Sequence, residues 1–188
     1  IASGMAHLHA SKITHRDLAC RNVFLFTDSE SKLSAKIGDL GMARQLVTSS
    51  NGTNTQNNWT QNFQFPIKWT SPEGLKGELN PESDVWSFAN TIVEIFNLGD
   101  PFPEVSNDAI ELGLLGRKIR DEYYHPKVPK EYEMVGSLLE PCWKTPKLRP
   151  TFVELIGIIV ELKKLFTGKT QKLDEGNNMI KTKTKKDE

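Results

Sequence analysis

Side chains that could bind a metal ion or transfer a proton occur in two short stretches of the sequence, His15–Asn22 and Gly38–Gly41. The first stretch contributes the carboxylate of Asp17 and the amide of Asn22, and the second contributes the carboxylate of Asp39. Oxygen ligands of this kind suit Mg²⁺, which usually keeps some waters and takes its other ligands from substrate phosphates. If the fold brings these side chains together, they indicate the handling of a magnesium-bound phosphate.

The segment between the two stretches is able to bring them together. Two short apolar runs, Val23–Phe26 and Ala35–Gly38, flank a turn-rich stretch, and this pattern is typical of a β-hairpin. The outer ends of two antiparallel strands lie side by side, about 5 Å apart. Because Asn22 precedes the first strand and Asp39 follows the second, we expect the amide and the carboxylate to meet, with Asp17 close by.

Five motifs, in the same order along the chain, resemble those of the protein kinase family. They are His15-Arg16-Asp17-Leu18 with Asn22, Asp39-Leu40-Gly41, Ser71-Pro72-Glu73, Ser83-Asp84-Val85-Trp86-Ser87-Phe88, and Cys142-Trp143 with Arg149-Pro150. The first two resemble the catalytic loop and the metal-binding tripeptide. The others resemble the end of the activation segment, the start of the central helix and a late structural motif.

The resemblance implies a role for each polar residue of the two stretches. Asp17 would accept the proton of the substrate hydroxyl, and Asn22 and Asp39 would hold Mg²⁺ on the phosphates of ATP. Phe24 would form the floor of the adenine pocket, where a Leu is usual in the family. Leu40 stands where the family usually has Phe, and it remains apolar.

The resemblance also implies structural roles for residues around the site. His15 and Leu40 would be packing residues that link two lobes, and Asp84 would brace the catalytic loop from the central helix. A carboxylate near a helix N-terminus is also favourable by itself. Glu73 would pair with Arg149.

The acceptor hydroxyl is indicated by the middle of the first stretch. Ala19 stands where serine/threonine kinases generally place Lys, and Arg21 lies four residues after Asp17. This arrangement resembles tyrosine kinases, as does Phe65-Pro66-Ile67-Lys68-Trp69, which looks like their platform for the acceptor ring. The implied function is transfer of the γ-phosphoryl of ATP to tyrosine hydroxyls, with a protein substrate as partner and Arg21 beside Asp17 in catalysis. Two alternatives stay open: a serine/threonine or dual-specificity kinase of the tyrosine-kinase-like group, and a pseudokinase that serves as a scaffold.

The family fold is α+β, but this chain is expected to be mainly α. Nothing in it resembles the Gly-rich phosphate loop, the strand Lys or the helix Glu of the kinase N-terminal lobe. We therefore expect residues 1–166 to be the C-terminal lobe of a kinase catalytic domain with a small β-hairpin. Residues 167–188 are expected to be a polar, disordered tail. Lacking half of the nucleotide site, the chain is expected to be inactive alone.

Apolar periodicity and end signals predict five helices and one loop. The helices are expected at 1–10, 81–96, 107–119, 134–143 and 151–166, and a mobile polar loop is expected at 47–64. The apolar positions of the second helix cover more than one face, which predicts burial at the centre of the fold. Within it, Asn90 stands at a usually aliphatic position, and if buried it needs a hydrogen-bond partner.

Composition excludes some classes of function. Lys and Arg total 24 and Asp and Glu total 24, a balance that argues against a nucleic-acid binder. No apolar stretch reaches the roughly 18 residues of a membrane helix, and membrane association of a longer parent stays open. The two cysteines make no disulfide framework, which favours a reducing compartment and a kinase domain that faces the cytosol. Cys142 is assigned to the core, while Cys20 is either a space-filling residue or a thiol whose pKa is lowered by nearby cations.

Overall fold

A computed structural model describes residues 1–45, 66–161 and 163–164 of the chain. The loop expected at 47–64 and the tail expected at 167–188 lie outside these residues. The chain divides into two compact units, Ile1–Phe152 and Val153–Glu188. All the candidate site residues belong to the first unit.

Helices dominate the described residues, and the strands are short. In chain order the elements are α1 (Ala2–Ala10), β1 (Ile13–Thr14), β2 (Val23–Thr27), β3 (Leu33–Ile37), β4 (Arg44–Gln45), α2 (Pro81–Phe96), α3 (Ala109–Glu122), α4 (Glu133–Leu139) and α5 (residues 152–161). No helix of the described residues is long and apolar enough to cross a membrane.

The predicted hairpin is confirmed. Strands β2 and β3 pair antiparallel from Val23 opposite Ile37 to Thr27 opposite Leu33. The turn is held by the carboxylate of Asp28, whose Oδ1 accepts hydrogen bonds from the backbone N–H of Glu30 at 3.0 Å and of Lys32 at 2.9 Å. β-branched and aromatic residues favour the paired conformation in β2. The register therefore places the residues before β2 and after β3 at the same end of the hairpin.

A second, two-residue pairing was not predicted from the sequence. Strand β1 pairs with β4, with Ile13 opposite Gln45 and Thr14 opposite Arg44. Segments of two residues carry no alternation that could identify them as strands. The pairing ties the chain just before the catalytic-loop stretch to the chain just after the hairpin.

The central helix α2 has the predicted bounds. Asn80 caps it, because its side chain accepts a hydrogen bond from the N–H of Ser83 at 2.9 Å, and Pro81 occupies the first turn. Phe96 is the last residue of the helix and Asn97 is its C-cap. Gly99 follows with φ of 130°, a conformation that favours glycine. Eleven of its sixteen residues are buried, which confirms its predicted place at the core.

The later helices occur as predicted, with shifted ends. Helix α3 starts two residues late, because the Asp108 carboxylate caps it through the N–H groups of Ile110 and Glu111. The last residue of helix α4 is Leu139, and a 3₁₀ helix, Glu140–Trp143, follows it directly. Pro141 lacks the N–H that a longer α-helix would need there. Of the helix expected at 151–166, residues 162, 165 and 166 lie outside the described part of the chain.

Asn90 in α2 is fully buried, and its side-chain hydrogen bonds are made. Its Nδ2 donates to the carbonyl oxygen of Lys68 at 2.8 Å, and its Oδ1 accepts from Nε1 of Trp143 at 2.7 Å. The predicted need for a hydrogen-bond partner is thus met for both the NH₂ group and the oxygen of the side-chain amide. Asn90 links the segment at Lys68 to the 3₁₀ helix at Trp143.

Replacing Asn90 should cost more stability than its size suggests. Asn90→Leu conserves most of the volume but leaves a buried N–H and a buried carbonyl unpaired. We expect the free energy of unfolding to fall by about 2–4 kcal/mol. Urea denaturation measures it, with Asn107→Leu at an exposed position as the control. A variant as stable as the control would contradict this account of the core.

Candidate active site

The catalytic-loop stretch is anchored to α2 by one buried carboxylate. The side chain of Asp84 is fully buried. Its Oδ2 accepts a hydrogen bond from the backbone N–H of His15 and its Oδ1 accepts one from the N–H of Arg16, both at 2.8 Å. His9 Nε2 lies 2.9 Å from Oδ2. The predicted brace between Asp84 and the loop is therefore present.

Asp84 belongs to a buried polar face of α2. Asp84, Ser87, Thr91 and Glu94 are spaced by three, four and three residues, which places them on one side of α2. We call them the α2 polar face. Ser87 Oγ donates to the carbonyl oxygen of Trp69 at 2.8 Å, and the Thr91 hydroxyl lies 3.2 Å from the Leu18 carbonyl oxygen. Of these four residues only Asp84 was predicted from the sequence to have a role, although the helical spacing of the set is present there.

Asp17, Asn22 and Arg21 are brought together within the loop. Asn22 Nδ2 donates to the backbone oxygen of Asp17 at 2.7 Å and to its carboxylate Oδ2 at 3.0 Å. Arg21 Nη2 forms an ion pair with Asp17 Oδ1. A single 3₁₀ turn, Cys20–Asn22, produces this spacing. The carboxylate of Asp17 is thus held from both sides.

The hairpin places Asp39 next to this group. The N–H of Gly38 donates to the carbonyl oxygen of Asn22 at 2.9 Å, which joins the two ends of the hairpin. Asp39 has φ of 56°, and its Oδ1 accepts from the N–H of Gly41 at 3.2 Å. The expectation that Asn22 and Asp39 occupy the same end of the hairpin is confirmed at the backbone.

His15 and Phe24 support the position of Gly38. His15 Nδ1 accepts from the N–H of Asp17 at 3.3 Å, so its Nε2 donates to the Gly38 carbonyl oxygen at 3.1 Å. The ring of Phe24 lies against Gly38, where a Cβ would come within 2.5 Å of Phe24 Cε2. Only glycine fits this contact without displacing the ring. Phe24 and Leu40 are each about 50% exposed.

The donor set fits a magnesium ion. With Nδ2 of Asn22 turned to Asp17, the oxygen of the amide remains as a ligand, and Asp39 keeps one carboxylate oxygen beside the one that binds Gly41. Among the described residues, no group of three or more His, Cys, Asp or Glu side chains could hold a metal. Two protein oxygens completed by phosphates and water are the arrangement that Mg²⁺ commonly takes.

The described part of the predicted acceptor platform lies beside Arg21. Phe65 is outside the described residues. Arg21 Cζ lies 5.1 Å from the centroid of the Trp69 ring, within the range of a cation–π contact. Lys68 is buried, and its Nζ donates to Asp100 Oδ2 at 2.6 Å and to the carbonyl oxygen of Val105 at 2.6 Å. Lys68 therefore holds the platform to the segment that follows α2.

Cys20 does not have a lowered pKa. Burial raises the pKa of its thiol to about 12, and the charge of Glu94 and a hydrogen bond to it act in the same direction. Its Sγ lies 3.7 Å from the carbonyl oxygen of Thr91, directed to α2. The interpretation as a thiol activated by cations is wrong, and the space-filling interpretation is retained. Cys142 is fully buried, as predicted, and burial raises the pKa of its thiol to about 12.

The predicted pair of Glu73 and Arg149 is present and buried. Arg149 Nη2 donates to Glu73 Oε2 at 2.9 Å, and Nη1 donates to Oε1 at 2.5 Å. Ser83 Oγ at the start of α2 donates to Oε1 at 2.9 Å. Burial raises the pKa of Glu73, but the hydrogen bonds and charge of Arg149 outweigh it, and the pKa lies below its ordinary value.

Comparison with known proteins assigns the family. A family model described as protein tyrosine and serine/threonine kinase matches residues 1–159. The chain therefore belongs to the protein kinase family, and its similarity to curated tyrosine kinases confirms the resemblance stated from the motifs.

Three relatives illustrate the similarity. The chain is 41% identical to tyrosine-protein kinase Shark of Drosophila melanogaster over 82% of its length, and 35% identical to the insulin-like growth factor 1 receptor of Bos taurus over 85%. It is 36% identical to the insulin receptor of Xenopus laevis, again over 85% of its length. These matches cover 15%, 23% and 11% of the respective relatives, so the chain spans less than a quarter of their length.

The Glu73–Arg149 ion pair should contribute strongly to the free energy of unfolding at neutral pH. Glu73→Gln leaves a buried guanidinium without its carboxylate, and we expect the free energy of unfolding at pH 7 to fall by about 3–5 kcal/mol. A carboxyl group with a lowered folded-state pKa stabilises above its unfolded pKa, about 4.5, and that contribution is lost as pH falls through the folded value.

The difference between Glu73→Gln and the wild type should therefore shrink below pH 4.5. Denaturation at a series of pH values measures it. The exposed Glu78→Gln variant in the same loop serves as the control and should differ little from wild type throughout. A constant difference down to pH 3 would contradict the ion-pair account.

Proposed function

We propose that residues 1–166 are the C-terminal lobe of a protein tyrosine kinase domain and that residues 167–188 are a tail. The whole protein would transfer the γ-phosphoryl of ATP to tyrosine hydroxyls of protein substrates, on the cytosolic side. The observation that carries the proposal is the junction at the end of the hairpin. There the side-chain amide of Asn22 donates to the Asp17 carboxylate. The backbone carbonyl oxygen of Asn22 accepts from the N–H of Gly38, the residue before Asp39.

The lobe assignment is supported by the hairpin surface. Phe24, Leu25 and Leu33 are 50–65% exposed on β2 and β3, and Leu40 is half exposed just beyond. The strand register puts Leu25 and Leu33 on one face of the hairpin and Phe24 on the other, and large apolar side chains exposed on both faces of so short a hairpin favour a partner surface that covers it. An N-terminal lobe that covered it would complete the nucleotide site, and without such a lobe the chain is expected to be inactive.

The reaction needs a base, a charge-neutralising ion and fixed reactants. Asp17 would accept the proton of the tyrosine hydroxyl as its oxygen bonds to the γ-phosphorus and ADP leaves. Asn22 and Arg21 orient the Asp17 carboxylate through the contacts described above. Asn22 and Asp39 would hold Mg²⁺, which neutralises phosphate charge when bound. Phe24 would lie beneath the adenine.

Tyrosine specificity rests on Arg21 and on the relatives. Arg21 stacks on Trp69 and approaches Asp17 from the side of the platform, where the ring of a long acceptor would lie. Relatives in the comparison carry the names tyrosine-protein kinase and insulin receptor. The presence of Asp17, Asn22 and Asp39 favours catalysis over a scaffold role.

A peptide assay tests the acceptor. The full-length protein is incubated with Mg²⁺-ATP and matched peptides that differ only in a Tyr, Ser or Thr acceptor. We expect transfer to the Tyr peptide to exceed the others by about 100-fold or more, because Tyr holds its hydroxyl farther from the substrate backbone than Ser or Thr and so suits a site in which Arg21 reaches Asp17 from beside Trp69. Preferential transfer to Ser or Thr would select the tyrosine-kinase-like alternative, and ATP binding without transfer would select the pseudokinase.

Two carboxylate variants separate the proposed roles. Asp17→Asn should lower kcat about 10²–10⁴-fold with nucleotide still bound, because the base is lost. Asp39→Asn should also raise the KM for Mg²⁺-ATP, because a metal ligand is lost. Asp121→Asn on the exposed side of α3 is the control. Near-normal turnover in Asp17→Asn would show that the base is misassigned.

A further inference from the structure

Glu94, on the α2 polar face, binds two separate segments of the site through one carboxylate oxygen. Its Oε2 accepts from the backbone N–H of Cys20 at 2.9 Å and from the indole Nε1 of Trp69 at 2.8 Å. Cys20 belongs to the catalytic loop and Trp69 to the acceptor platform. Glu94 thus fixes the distance between the two segments.

Glu94 is 93% buried, with 7% of its surface exposed. The ion pairs found among the described residues do not include it. A buried carboxylate is tolerated only when hydrogen bonds replace its hydration. The two N–H donors supply that replacement, so the positions of Cys20 and Trp69 are tied to the Oε2 oxygen of Glu94.

The contact extends from Trp69 to the proposed base. The guanidinium of Arg21 lies over the Trp69 ring, with Cζ at 5.1 Å from the centroid, and also pairs with the Asp17 carboxylate. The indole N–H on Glu94 sets the plane of the ring, and the ring sets where the guanidinium lies. The loop N–H on the same oxygen fixes the backbone next to Arg21.

We propose that Glu94 is a positioning residue for phosphoryl transfer: through Trp69 and Cys20 it places Arg21 against Asp17 and holds the acceptor platform at the base. This role deepens the proposed function and depends on it. Glu94 would act through Cys20 and Trp69 and not on the reacting atoms. Its effect should appear in kcat, because orientation of the base matters in the transition state and little in binding of Mg²⁺-ATP.

Paired substitutions at Glu94 test the role in the full-length protein. Glu94→Ala removes the acceptor oxygen, and we expect kcat for a Tyr peptide to fall about 10–100-fold with the KM for ATP within about twofold. Glu94→Gln keeps an acceptor oxygen at the same reach and should recover kcat to within about fivefold of wild type. Glu82→Ala and Glu82→Gln, in the first turn of α2, are the matched controls.

A purely structural effect has a different signature. If the loss of kcat in Glu94→Ala equals the loss of folded protein measured by denaturation, or if Gln is as damaging as Ala, the positioning role is overturned. A rise in the KM for ATP with unchanged kcat would overturn it as well.

A double-mutant cycle tests the link through the indole. Trp69→Phe keeps a ring under Arg21 and removes the N–H that binds Glu94. The double variant with Glu94→Ala should lose less kcat than the product of the two single losses, by about fivefold. Losses that simply multiply would overturn the coupling between Glu94 and Trp69.

The Cys20 thiol reports the geometry without any activity. Glu94→Ala and Glu94→Gln have the same charge, but only Gln keeps an oxygen that can accept from the backbone N–H of Cys20, so looser loop packing should make alkylation of the thiol by iodoacetamide about three- to tenfold faster in Glu94→Ala than in Glu94→Gln. Site-resolved mass spectrometry follows Cys20, with buried Cys142 as the internal reference. Equal rates in the two variants would overturn the contact itself. A wild-type protein that transfers no phosphoryl group would instead overturn the proposed function, even with the expected Cys20 rates.

Discussion

The burial of carboxylates on the α2 polar face is the constraint on which the site depends. A carboxylate in the interior is strongly unfavourable unless N–H groups replace its water. Asp84 obtains two of its donors from consecutive backbone groups, at His15 and Arg16. To present both, the loop adopts a left-handed conformation at Arg16, with φ of 71°. That conformation costs about 1–2 kcal/mol for a residue with a Cβ, and two charge-assisted hydrogen bonds offset it.

The hairpin brings Asp39 to the site, and it does so through the register of its two strands. Since Val23 lies opposite Ile37, the flanking residues Asn22 and Gly38 meet, and the backbone bond between them closes the end of the ladder. A slip of one residue would turn Asp39 to the other face. The contact of Phe24 with the bare Cα of Gly38 opposes such a slip, because any side chain there would collide with the ring.

Local patterns in the sequence predicted the parts of the fold that depend on local physics. The hairpin followed from two apolar runs around a turn, and α2 followed from Pro81 at its start, its apolar positions, and Gly99 and Pro101 after its end. The pairing of β1 with β4 could not be predicted, because its partners are far apart and two residues long. Within the site, Asp17, Asn22 and Asp39 were predicted to come together, whereas Glu94 was not, since a polar position on a buried helix does not by itself identify its partner.

Cys20 shows that a charged residue next to a thiol in the sequence need not determine the pKa of that thiol. Arg21 is the next residue, yet the 3₁₀ turn directs the two side chains apart: Arg21 extends to Asp17 and Trp69, and Cys20 turns inward to α2. The thiol therefore experiences burial and the Glu94 carboxylate rather than the guanidinium, and its pKa rises. The same 3₁₀ turn leaves the catalytic loop with an anionic neighbour, Glu94, and a cationic side chain, Arg21, in different directions. The Glu94 carboxylate accepts from the loop backbone at Cys20, and the Arg21 guanidinium pairs with Asp17, the proposed base.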